Sequence, residues 1–135
     1  MNQNQQAHDW TTENRRRRGS LGEELAASFL MQHGVQILAQ NFHSGRSGEI
    51  DIVARDGNAL VFIEVKMRRN ATSGAPEEAV TYSKQRTICR TADYYRCRHR
   101  IPEGTPIRFD VVAIRMQGDR TAHIRWIRNA FPYHI

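Results

Sequence analysis

Cysteine is scarce in this 135-residue chain, with two thiols, Cys89 and Cys97, eight positions apart. That spacing matches no zinc motif and makes no disulfide framework, so both are read as free thiols of a reducing compartment. Long apolar runs are also missing. The longest strictly apolar stretch is Ala59 to Ile63, far short of a membrane span, and the polar start MNQNQQAHDWTTEN has no signal-peptide core. A cytoplasmic location with no membrane partner is the expectation. P-loop, HExxH and GxSxG motifs are absent, and the six histidines show no metal-ligand spacing.

What the chain has is positive charge, +6 overall, which suits an acidic partner such as nucleic acid. Residues 1–18 are polar, end in Arg15-Arg16-Arg17-Arg18 and show no hydrophobic period, which predicts a disordered basic arm before a single domain at 19–135. Ser20-Leu21-Gly22-Glu23 fits a capping box, with Leu21, Leu25 and Phe29 recurring behind it and Gly34 as a stop. Val35 to Ala39 reads as an edge strand. Ile50, Ile52 and Ala54 alternate with Glu49, Asp51 and Val53, and Val61, Ile63 and Val65 with Phe62, Glu64 and Lys66, around Asp56-Gly57-Asn58, which is read as a β-hairpin with one apolar face. A second helix is expected over 77–98, followed by strands at 108–114 and 122–127. The order α, β, β, β, α, β, β predicts an α/β fold, a mixed sheet with helices packed on it.

Hairpin register follows from the pattern. Buried positions are even in the first strand and odd in the second, so paired numbers sum to an odd value. A two-residue Asp56-Gly57 loop sets Glu49 opposite Glu64; a four-residue loop sets Asp51 opposite Glu64. Either register gathers Glu49, Asp51, Glu64 and Lys66 on the face opposite the apolar row. Two like charges ~5 Å apart cost ~3 kcal/mol at an effective dielectric of about 20. One lysine cannot offset three carboxylates, whereas Mg²⁺ or Mn²⁺ could. A solvated face with a Glu–Lys pair is the plain alternative, because Glu-x-Lys alone arises by chance in about one chain in two of this length.

Asp51 followed after an apolar strand by Glu64-Val65-Lys66 resembles the PD-(D/E)xK signature of restriction endonucleases and archaeal Holliday junction resolvases, with Ile50 where the signature has proline. The wider match is to the YraN family of bacterial proteins. It runs through Gly22-Glu23 and Ala26, Gly48-Glu49-Ile50-Asp51, Phe62 to Lys66, Ser83-Lys84-Gln85, Arg108 to Val112, Trp126-Ile127 and Ala130-Phe131. The resemblance implies a restriction-endonuclease-like mixed sheet flanked by helices and metal-dependent hydrolysis of DNA, including branched or damaged DNA. Asp51 and Glu64 would ligate Mg²⁺ or Mn²⁺ with the Val65 carbonyl, and Lys66 would orient or deprotonate the attacking water. Glu23 matches an acidic helix residue that reaches such sites, although a capping role also accounts for it. Glu49 would be an outer or second ligand.

Lys84 is drawn into this site by the family match, and Arg68, Arg69, Arg86 and Arg90 are candidate phosphate contacts that read equally as solvated charges. Arg108 and Asp110 read as a structural ion pair. A homodimer is implied by the resolvase likeness alone. The competing functions are a nucleic-acid-binding module or an adaptor for an unknown protein partner, with the fold but no activity of its own.

Overall fold

The computed structural model describes residues 10–45, 48–68, 80–118 and 121–134, with side chains from Leu21 onward. The order is α1 (Trp10–Gln32), β1 (Gln36–His43), β2 (Glu49–Asp56), β3 (Ala59–Arg68), α2 (Tyr82–Arg98), β4 (Ile107–Met116) and β5 (Ala122–Ile127). It matches the order expected from hydrophobic pattern. The five strands form one sheet in the order β1-β2-β3-β4-β5. β3 and β4 are parallel and the other pairs antiparallel, so the sheet is mixed. α2 makes the crossover that a parallel pair requires.

α1 begins at Trp10, ten residues before the expected start at Ser20. Ser20 is therefore inside a helix and not its cap, and the helix crosses the boundary drawn at residue 18. Arginine is a good helix former, and extending an existing helix adds one hydrogen bond per residue without a new nucleus. Residues 1–9 of the expected arm lie outside the described residues. Gly34, at φ +85°, ends the helix as expected, with the Gly34 N–H donating to the Met31 carbonyl at 3.0 Å. The second helix starts at Tyr82, capped by Thr81, whose hydroxyl accepts from the Lys84 N–H at 3.1 Å. Residues 77–79 of its expected start lie outside the described residues.

The hairpin pairs Val53 with Phe62, Ala54 with Val61 and Asp56 with Ala59. Those sums select the register expected from a four-residue loop. Pairing continues to Asp56, however, which leaves only Gly57-Asn58 as the turn. Gly57, at φ +65°, takes the first central position that primed hairpin turns reserve for glycine.

The expectation of one apolar hairpin face is corrected, because both faces of the sheet are covered. Ile52, Ala54, Val61, Ile63, Val112 and Ile114 pack with Ala26, Ala27 and Leu30 of α1. On the other side Val53, Leu60, Phe62 and Phe109 pack with Ile88, Cys89, Ala92 and Tyr95 of α2. Ile50 joins this second cluster and not the one holding Ile52, so strict alternation fails at the start of β2. A strand covered on both faces reads as a near-continuous apolar run, which is why Leu60 to Ile63 shows no clean alternation.

The Arg108–Asp110 ion pair is present. Asp110 is buried and accepts from Arg108 Nε at 3.0 Å, Trp126 Nε1 at 2.9 Å and the Asn129 N–H at 2.8 Å. Arg108 also reaches Asp56 at 2.9 Å, tying β4 to the hairpin. Cys89 and Cys97 are free thiols, the first buried. Among the described residues, no helix is long and apolar enough to cross a membrane.

Candidate metal centre

The site forms where β2 and β3 part. Their pairing runs from Asp56/Ala59 to Ile52/Ile63 and stops there. The next β3 amide on that side, Val65 N–H, donates to the Asp51 carboxylate at 2.8 Å in place of a ladder carbonyl. Asp51 thus fills the fork between the strands and closes a hydrogen bond that would otherwise be lost.

Two close backbone approaches bring the helices to this fork. A Cβ on Gly22 would lie 3.1 Å from Met67 Sδ, so glycine seats α1 against β3 beside Glu23. A Cβ on Gly48 would overlap Thr91 Oγ1 and lie 2.7 Å from Thr87 Cγ2, so the chain entering β2 rests directly on α2. Each glycine immediately precedes an acidic residue of the site.

Glu23, Glu49 and Asp51 converge, with one carboxylate oxygen from each within 4.8 Å of the others. Two of these were expected on one strand face; the third arrives from α1. Glu64 is outside this trio. Its carboxylate lies 3.6 Å from Lys84 Nζ, across the gap to α2. Burial raises the Glu64 pKa, while Lys84, then Lys66, draws it down. Lys84 was expected from the family match and Lys66 from the strand pattern; both act on Glu64 here.

The Asp51 carboxyl is pushed up to about 7, first by burial, then by the neighbouring Glu64 charge; the Val65 N–H opposes this, and Glu23 and Glu49 add to it. Glu23 is raised as well, by burial against the hydrogen bond from Asn41, with Glu49 adding repulsion. Asn41 was not anticipated. It sits in β1 at φ +55°, in the left-handed region that asparagine tolerates, and its side chain holds the Glu23 carboxylate. The edge strand was expected to end at Ala39, before this residue, whereas β1 runs through it to His43.

Of the residues expected to meet phosphate, Arg68 ends β3, half-buried, and Arg86 and Arg90 are exposed on α2. Arg90 Nη2 donates to Thr87 Oγ1 at 3.4 Å. Arg69 lies outside the described residues.

Residues 22–114, which carry all of this site, match the profile of the uncharacterised protein family UPF0102. The chain belongs to the UPF0102 (YraN) family. A UPF0102 protein of Lachnoclostridium phytofermentans is 50% identical over 118 residues, 87% of this chain and 95% of that one. One from Symbiobacterium thermophilum is 48% identical, covering 86% of this chain and 97% of the relative. A Legionella pneumophila UPF0102 protein is 39% identical, covering 84% and 93%. The family expected from separate motifs is therefore established, along with an α/β fold consistent with a nuclease.

Proposed function

We propose that this protein is a metal-dependent endonuclease that hydrolyses phosphodiester bonds in DNA. The observation that carries the reading is the convergence of Glu23, Glu49 and Asp51 beside Glu64 and Lys66. The donor set fits a hard divalent cation: every candidate side-chain ligand is a carboxylate oxygen, the chemistry that Mg²⁺ and Mn²⁺ select. The raised Asp51 pKa, driven first by burial and then by the neighbouring carboxylates, is one that a bound cation would lower.

Glu23, Glu49 and Asp51 would hold the ion. The Val65 carbonyl is a further donor, because a strand residue directs its N–H and C=O to the same side, here toward Asp51. When bound, such a cation lowers the pKa of water and offsets charge on a phosphoryl oxygen. Lys66 would orient the attacking water and stabilise negative charge developing on the phosphate. Glu64, whose charge is the strongest acting on Asp51, would be a further ligand. Lys84 would hold Glu64 from the helix side.

The test is incubation of the purified protein with single-stranded, duplex, nicked, flapped and four-way-junction DNA, each with Mg²⁺, Mn²⁺ or EDTA. Cleavage that needs the metal and disappears in Asp51→Asn is expected. Cleavage insensitive to EDTA, or none on any substrate with Mn²⁺, would overturn the proposal.

A further inference from the structure

Beyond the acidic fork, strand pairing assembles a basic surface across three strands. Val65 and Met67 of β3, Val112, Ile114 and Met116 of β4, and Ala122, Ile124 and Trp126 of β5 all pack toward α1. Alternation then directs Lys66, Arg68, Ala113, Arg115, His123 and Arg125 to the opposite face. α2 covers that face at Leu60, Phe62 and Phe109, while Lys66, Arg68 and Arg115 are half-buried and His123 and Arg125 exposed.

The register sets them in rows. Glu64 neighbours Val111, which neighbours Ile127. In the next row Lys66 neighbours Ala113 and then Arg125; in the one after, Arg68 neighbours Arg115 and then His123. Rows lie ~7 Å apart along the strands and ~5 Å separates neighbours across them. A concavity of ≈ 300 Å³ lies over β4 and β5, lined in part by Ala113, Arg115, His123 and Arg125.

Arg68 of β3 and Arg115 of β4 are direct neighbours, so a phosphate backbone laid along this face meets both cations. Ala113 leaves a low floor between Lys66 and Arg125. We infer that this face is the track for the phosphate backbone of a DNA strand, with Arg68, Arg115 and Arg125 as its contacts, leading past Lys66 to the carboxylates. The inference rests on the nuclease reading for the choice of nucleic acid as the anion. It replaces the exposed α2 arginines, Arg86 and Arg90, as the main binding surface, because those lie on the helix and not in the row that ends at Lys66. Phosphate contacts of this kind position a strand without reading its sequence.

The experiment is fluorescence anisotropy of the full chain with short labelled DNA, single-stranded and duplex, in EDTA over a salt titration. Arg115→Gln with Arg125→Gln should weaken binding and reduce the log–log salt slope by up to about two. Arg125→Gln alone, at an exposed position, should remove up to about one without altering the melting temperature. Arg86→Ala with Arg90→Ala should change the slope less than the β4–β5 pair does. Wild-type slope and affinity in the β4–β5 variants, or no DNA binding by the wild type at low salt, would overturn the track. If binding behaves as expected but nothing is cut with Mn²⁺, the nuclease reading falls and the track stands. If the wild type cuts while the variants bind normally, the reverse holds.

Discussion

Replacing Asp51 by asparagine is expected to stabilise the protein at alkaline pH in the absence of divalent metal. The Asp51 carboxyl titrates at about 7 in the fold, against a reference value of 3.8. Ionising it therefore costs more in the folded chain than in the unfolded one. Each unit is 1.36 kcal/mol, so the penalty reaches about 4 kcal/mol at pH 8, where both states are ionised. It is relieved as pH falls through 7, shrinks to below about 2 kcal/mol near pH 5, and vanishes below the unfolded pKa. The asparagine amide would keep an oxygen for the Val65 N–H while removing the buried charge. Thermal melts in EDTA should place Asp51→Asn above wild type by on the order of 10 °C at pH 8, with the gap closing toward pH 5. A variant that melts at or below wild type at pH 8 would refute the reasoning, because the carboxylate would then be stabilised by the protein itself.

Three further substitutions test other parts of the structure. Lys84→Ala removes the largest opposing influence on the raised Glu64 pKa, so the acid-side rise of metal-dependent cleavage should move to higher pH, while stability, read by urea melts, falls by about 1–3 kcal/mol because the largely buried Glu64 loses its charge partner. Gly48→Ala forces a methyl group into Thr87 and Thr91; a loss of about 1–3 kcal/mol in urea melts is expected, and unchanged stability would mean the approach to α2 is looser than described. Asp110→Ala takes the acceptor from the Trp126 indole and the Asn129 N–H and leaves the half-buried Arg108 with Asp56 alone, at about 1–3 kcal/mol in the same assay, with Mn²⁺ affinity of the folded protein unaltered.

Much of the fold was legible because hydrophobic period reports which side of an element is buried. Parity of the apolar positions limited the hairpin to two registers and already grouped Asp51 with Glu64. Choosing between them needed the turn geometry, and Gly57-Asn58 differs from Asp56-Gly57 by a one-residue shift that pattern does not resolve. The start of α1 was hidden because its first half, from Trp10 through four arginines, has no apolar stripe. Glu23 carried two readings, and only the position of α1 over β3, through Gly22 and Met67, separates a cap from a site residue. The basic rows were invisible for another reason: Arg68, Arg115 and Arg125 are distant in sequence, and the pairing of β3 with β4 and β4 with β5 is what makes them neighbours.

The claim that Glu23, Glu49 and Asp51 form a metal centre is tested most directly by calorimetric titration of Mn²⁺ into the wild type and into Glu23→Gln, Glu49→Gln and Asp51→Asn. The account predicts saturable binding by the wild type, accompanied near pH 7 by proton release as Asp51 ionises. Binding should weaken in each variant, with the proton release gone from Asp51→Asn. Equal Mn²⁺ affinity in all four proteins, or no binding by the wild type, would contradict it.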